Sequence, residues 1–368
     1  MPNVLSPVTN PASLTADPLF VVTVPAGPRA SVDSVFSQLA TQLMQRDGTI
    51  VALFIYGDVA AREQTTRIMR RYLGSIDWPV LWVEGRSCNG ALLAGVQAFA
   101  VHDTEVERVL VKGRVVGTMY ADRDCRHCLM AGLGPDDAAA GRDLQAQQTF
   151  ENLREAFEHC DFEFADIART WFYNEKLLDW YDTFNRVRTA YYSERPFRSG
   201  AVPASTGVEA RNPMGAALAL AAWAVQPLDG KARVTDVASP LQCTALQYGS
   251  SFSRAMEIAS GGVRRLLVSG TASIAPEGHS LWLGDIERQV DTTMEVVKAI
   301  LTSRRMQWAD VTRATAYFKY PLDAAALEKW QERHDLALPA VYVHCDICRD
   351  DLLFEIELDA CAPASRQP

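Results

Sequence analysis

No stretch of this chain is apolar for long enough to span a bilayer. The longest such run, Met214 to Val225, falls well short of the roughly 20 residues that a spanning helix needs. The first eighteen residues lack a basic segment followed by an apolar core, so no secretory leader is expected and a cytoplasmic setting is the default. Positive charge is also in short supply. Asp and Glu outnumber Lys and Arg by 45 to 36, for a net charge of −9, which argues against nucleic acid as a partner because phosphate binding needs a clustered cationic surface. Eight cysteines include two C-x-x-C pairs, Cys125 with Cys128 (around His127) and Cys345 with Cys348. Such pairs invite a zinc reading. The second pair, however, falls in a segment read as extended, where side chains three apart point to opposite faces, so no metal site is expected. With 48% hydrophobic and 22% charged residues, the chain is an ordinary globular protein of two or three domains.

What the chain does have is repetition. Residues 145–179 align without a gap on residues 289–323 at a constant offset of 144, so that Gln145 meets Gln289, Asp166 meets Asp310, Arg169 meets Arg313 and Tyr173 meets Tyr317. Chance rarely produces such a series, and it marks a duplicated unit. A proline-led apolar segment follows each copy, Pro203 to Val225 in the first and Pro339 to Asp359 in the second. The second carries Glu355 and Glu357 within LLFEIEL, where the first reads AALALAAWAV. One copy is therefore expected to be structural and the other chemically equipped.

Apolar spacing predicts helices over 145–158 and 289–302, with second helices over 179–192 and 324–335. Residues 108–120 predict a two-stranded ribbon turning at Lys112 and Gly113, followed by a loop over 125–141. Residues 264–282 predict a matching pair of short strands around a glycine-bearing turn. Each copy thus reads β-β-α-β-α-β, an α+β unit with mixed sheet and all helices on one face. Residues 31–102 look like a partial further copy, with Tyr56 where Tyr173 and Tyr317 stand, and residues 226–242 read as a linker rich in turn formers. The expected domains are a loose lead-in at 1–18, an N-terminal domain at 19–230 containing the partial copy, a C-terminal domain at 235–358 and a tail at 359–368.

The last third contains FSRA at 252–255, LLVSGTAS at 266–273, Gly284-Asp285, Gln289 and AVYVHCDICRDDLLFEIE at 340–357. Together with Arg169-Thr-Trp-Phe-Tyr173, these resemble the RidA/YjgF superfamily, and more closely its chorismatase branch. The resemblance implies tandem RidA/YjgF-like (chorismate mutase-like) units and a small pocket. There the turn formed by Ser269, Gly270, Thr271 and Ala272 offers backbone N–H groups, Glu355 does proton work and Cys348 lies beside the substrate ring. In chorismatases the substrate is chorismate, whose enolpyruvyl ether is cleaved with release of pyruvate.

That chemistry suits the residue types. An enol ether is opened by protonation at its terminal carbon, which calls for a neutral acid, and Glu355 between Phe354 and Ile356 is set to have its pKa raised. Arg169, Arg254 and Arg313 are the candidate carboxylate ligands, because a planar guanidinium pairs bidentately, with Tyr173 or Tyr317 as hydroxyl partners. Glu357 shares the strand parity of Glu355 and is expected to hold a backbone or helix contact instead.

Two departures bear on substrate. Imine-deaminating relatives carry Pro-Ala-Arg at the start of the last strand, whereas here Pro339-Ala340 is followed by Val341. Chorismatases carry a Pro-Arg-Ser-Pro segment before FSRA, whereas here Tyr248-Gly249-Ser250-Ser251 runs straight into it; either Arg254 or a residue of the first copy replaces the expected arginine, or the substrate is not chorismate. The alternatives are an enamine or imine hydrolase, a biosynthetic cyclase, or a non-catalytic small-molecule binder. A small carboxylic acid is the expected partner and no cofactor is required. Because RidA-like proteins form trimers, a chain with internal copies is expected to be a monomer or a homotrimer.

Overall fold

The computed structural model describes residues 17–228 and 230–366, so most of the expected lead-in and the last two residues of the tail lie outside the described residues. The first part of the chain forms β1 (Leu19–Pro25), α1 (Val32–Met44), β2 (Thr49–Gly57), α2 (Arg62–Leu73), β3 (Val80–Val83), β4 (Arg86–Ser87) and β5 (Leu93–Val101). The middle forms β6 (Val106–Val111), β7 (Arg114–Ala121), β8 (Cys125–Leu133), α3 (Arg142–Glu158), β9 (Ile167–Asn174), α4 (Tyr181–Ser193), β10 (Ala204–Glu209) and β11 (Leu218–Pro227). The last forms β12 (Arg233–Val237), β13 (Ala255–Ser260), β14 (Val263–Ala272), α5 (Ile286–Ser303), β15 (Val311–Phe318), α6 (Ala324–Arg333), β16 (Ala340–His344) and β17 (Phe354–Pro363).

One strand order recurs in all three parts. The first sheet runs β1-β5-β2-β3; the second contains β8-β11-β9-β10 and the third β14-β17-β15-β16, each with two antiparallel pairings followed by one parallel pairing. The parallel pair is bridged by a helix, as a parallel connection requires. β4 leaves the first part to extend the third sheet beside β16. Helices cover one face of each sheet and bury a private core, such as Phe36, Leu39 and Ile68 in the first part, Phe150, Leu153 and Phe184 in the second, and Met294, Val297 and Leu327 in the third. The opposite faces meet in a shared core that draws Phe54 and Phe99, Trp171 and Trp223, and Leu267 and Val341 from the three parts. Burial on both faces explains why the central strands read as continuous apolar runs.

The residues that repeat at the 144 spacing are mostly framework. Asp166 and Asp310 each accept a hydrogen bond from the backbone N–H three residues earlier, at 2.9 Å, closing the turn that launches β9 and β15. The amide oxygens of Gln145 and Gln289 accept from the N–H groups of Ala217 and Leu353, both at 2.8 Å, and so pin the starts of β11 and β17. The hydroxyls of Tyr56, Tyr173 and Tyr317 meet in the shared core, at 3.1 Å between the first two and 3.3 Å between the last two.

Several expectations are corrected. Residues 125–133 form strand β8 rather than a loop, and residues 226–242 include strand β12. Residues 263–272 are one strand, paired with β13 across Gly261-Gly262, and the SGTA stretch is a bulge within it instead of a turn. Each proline-led apolar segment splits into two strands. The ribbon turning at Lys112 and Gly113 forms, with φ of 50° and 74° at the two residues, the left-handed geometry of a tight hairpin. Cys345 and Cys348 lie in the irregular segment after β16; Cys125 and Cys128 are the pair on a strand, and they enter different cores.

Candidate active site

Side chains alternate along β17, so Glu355, Glu357 and Asp359 share one face, in register with Tyr317, Thr315 and Arg313 of β15. The same register places Ala219 opposite Tyr173 and Gly95 opposite Tyr56. Of three equivalent positions, one holds an acid.

Glu355 lines a cavity of about 700 Å³ between the middle and last parts of the chain. α4 and β10 form one wall; the segment before β13, the β14 bulge, β17 and the Cys348 segment form the other. Among the described residues no protein group hydrogen-bonds the Glu355 carboxyl. Gly270 makes room for it, since a Cβ there would collide with Glu355 Oε1. Burial, and next the charge of Glu357, push the Glu355 carboxyl up to about 8, against opposing pulls from Arg169 and Arg254. It is therefore mostly protonated at neutral pH.

Glu357, two residues on, is buried in a different setting. It pairs with Arg169 at 2.5 Å and Arg313 at 2.8 Å, and accepts from the Trp171 indole at 3.1 Å and from Thr206. Burial alone would raise its pKa, but Arg313 and Arg169 hold it below the ordinary carboxylate value. Two neighbouring carboxyls are thus driven apart, one neutral and facing the cavity, the other ionised and held by core arginines.

The sequence-predicted site residues separate into two groups. Glu355, Cys348, Arg254, Gly270 and Ala272 line the cavity together. The Cys348 thiol is pushed up to about 12, by burial and then by Glu355, and stays neutral. Arg254 donates twice to the Cys243 carbonyl, each at 2.9 Å, and lies over the rings of Tyr248 and Phe252. Arg169, Arg313, Tyr173 and Tyr317 are fully buried in the shared core, paired with carboxylates or with one another, and do not reach the cavity. Ser269 and Thr271 are buried as well: Ser269 accepts from the Ser205 N–H at 2.9 Å and donates to the Ser253 carbonyl, while Thr271 donates to the Ser269 carbonyl. Nor do the bulge N–H groups cradle an anion. Those of Ser269 and Gly270 already donate to the Arg254 carbonyl and to Thr206 Oγ1, both at 3.0 Å.

Cavity residues that went unnoticed in the sequence include Arg188, Asn185 and Tyr181 on α4, and Tyr248 and Arg349. Arg188 left a readable mark: it occupies a buried position in the apolar series Phe184, Val187, Tyr191, Tyr192. Elsewhere, Asp122, Cys125 and His127 bring ligand atoms within 4.8 Å of one another. Asp122 there accepts from two backbone N–H groups and Ser260, and the His127 ring bridges Asp122 at 2.9 Å and the Trp223 indole at 3.3 Å. No helix among the described residues is long and apolar enough to cross a membrane.

No protein-family model matches the chain, and no curated protein aligns with it significantly. Among solved structures, a chorismatase determined at 1.08 Å superposes with a TM-score of 0.63 at 18% identity, over 85% of this chain and 93% of its own. The chain has the fold of that chorismatase. A putative L-PSP endoribonuclease from Entamoeba histolytica matches at 21% identity over 35% of this chain and all of its own, with a TM-score of 0.31. The YjgF gene product from E. coli matches at 21% identity over 34% of this chain and 96% of its own, with a TM-score of 0.27. In this chorismatase-like fold the acid-bearing cavity lies at the junction of the middle and last parts of the chain.

Proposed function

We propose that the protein is a chorismatase-like enzyme that cleaves the enolpyruvyl ether of chorismate or a related cyclic acid, releases pyruvate and uses Glu355 as general acid. The observation that carries this reading is a buried carboxyl, neutral at pH 7, which faces a substrate-sized cavity without a protein partner. Glu355 protonates the terminal methylene carbon of the enol ether, leaving an oxocarbenium ion at the ether-bearing carbon. Water adds there, the hemiketal collapses to pyruvate and the ring alcohol, and the proton lost by water restores the acid. The nascent Glu355 carboxylate, beside Arg254, offsets the transient positive charge. Cys348 and Ala272 supply neutral walls that keep the acid poorly solvated.

Imine deamination is less well supported. Val341 is fully buried in the shared core, so the start of the last parallel strand offers no cation to a substrate carboxylate. The test is incubation of purified protein with chorismate, following pyruvate with a lactate dehydrogenase couple. Release by the wild type that is lost in Glu355→Gln supports the proposal; no release, or equal release by the variant, overturns it.

A further inference from the structure

The two cysteines of the Cys125-x-x-Cys128 spacing leave β8 on opposite faces, so they do not meet each other. Cys128 meets a different thiol. Its Sγ lies 3.9 Å from Cys160 Sγ, across 32 residues of sequence, in the core that α3 closes over the middle sheet. Both are free thiols, and neither belongs to the cavity that holds Glu355.

The pair is asymmetric. Cys128 stands mid-strand, fully buried, and burial leads the influences that push its thiol well above its ordinary value. Cys160 lies in the turn just after α3, 6% exposed, between His159 and Asp161, which are both open to solvent. A hydrogen bond from Cys128 draws the Cys160 thiol below its ordinary value, with help from the Arg126 charge and against burial. Arg126 is held close enough to act, because its Nη2 donates to the Cys160 carbonyl at 3.4 Å and its guanidinium lies 4.9 Å from the centre of the Phe162 ring. In the resting thiol the Cys160 S–H donates to the Phe157 carbonyl at 3.2 Å. One sulfur is thus set near solvent and beside a cation, while the other is a sheltered proton donor.

We propose that Cys160 and Cys128 form a modification site for hydroperoxides, in which Cys160 is the attacking sulfur and Cys128 resolves the product to an internal disulfide. The Cys160 thiolate attacks one peroxide oxygen and the O–O bond breaks. The departing hydroxide takes up a proton and leaves as water, and Cys160 becomes a sulfenic acid. The Cys128 sulfur then attacks the sulfenic sulfur, the S–O bond breaks, and a second water leaves with the Cys128 proton. Two thiols lose two electrons, and one peroxide gains them. The sulfurs already touch, so the second step needs them to close by only about 2 Å to reach disulfide bonding distance. The product ties the turn after α3 to β8, and a thiol reductant reverses it.

The test uses reduced, full-length protein treated with one equivalent of hydrogen peroxide, quenched with N-ethylmaleimide and digested without reductant. The number of free thiols is expected to fall by two from eight, with the Cys128 and Cys160 peptides joined in the mass spectrum, and dithiothreitol is expected to restore both. Cys128→Ser is expected to stop at the sulfenic acid, trapped on Cys160 by dimedone. Cys160→Ser is expected to consume peroxide at least tenfold more slowly and to give no dimedone adduct on Cys128. Peroxide that leaves the wild-type pair unjoined, or that joins other cysteines instead, overturns the proposal. So does an adduct that forms on Cys128 and not on Cys160, because the attacking and resolving roles would then be exchanged. The pairing is read from wild-type protein alone and does not depend on either variant folding.

Discussion

Replacing Glu355 by Gln preserves shape and removes one titration, so it separates the acid's chemistry from its place in the fold. With an ordinary value of 4.5 and a folded value of about 8, the native state holds a proton between those limits that the unfolded chain has released. Stability therefore falls as pH rises through that window, at about 1.4 kcal/mol per pH unit, for a total on the order of 5 kcal/mol. Glu355→Gln lacks this slope. Urea denaturation from pH 5 to pH 9 is expected to show the variant gaining on wild type as pH increases, with the difference levelling off above about pH 8. In the same variant kcat for pyruvate release is expected to drop by about 10²–10⁴, the usual contribution of a general acid. The wild-type rate is expected to decline on the alkaline side with an apparent pKa near 8. Parallel stability curves for the two proteins would refute the reasoning, because they would mean that the carboxyl is ionised and solvated in the native state.

Three further outcomes follow from the same geometry. Glu357→Gln leaves Arg169 and Arg313 short of their shared counter-charge in a site closed to water, and is expected to cost about 3–5 kcal/mol in chemical denaturation. Gly270→Ala is expected to fold but to lose most of its kcat with KM little changed, since the new methyl competes with the Glu355 carboxyl for one space; unaltered kcat would count against that carboxyl as the proton donor. Sedimentation equilibrium is expected to give a single species near 40.6 kDa, because the inward faces of all three sheets already meet within one chain, and a threefold larger mass would show that another surface associates.

The framework was more legible in the sequence than the site. The 144-residue offset exposed the duplicated helices and strands, because Gln145 with Gln289 and Asp166 with Asp310 fix backbone ends, and such local roles tolerate little change between copies. The first part of the chain was legible through its order of helix, strand, helix and strand and through Tyr56, whose hydroxyl lies in the same cluster as its two counterparts. Glu355 stood out because an acid inside an apolar strand is either costly or useful. Arg169 and Arg313 misled for a physical reason. The partner of Arg169, Glu357, is 188 residues away in sequence, so nothing local distinguished a core ion pair from a substrate ligand. SGTA was similarly misread, since a strand bulge and a hairpin turn favour the same small residues, and only the register against β17 tells them apart.

Placing three like sheets in a single polypeptide also frees each one from the other two. In an assembly of identical subunits, any substitution beside the central tyrosine cluster is written into every interface at once, and a buried acid would have to be tolerated three times. Here Gly95, Ala219 and Glu355 occupy corresponding positions and differ. Two junctions can therefore act as plain masonry while the remaining one bears the strain of an uncharged acid, a division of labour closed to a symmetric ring.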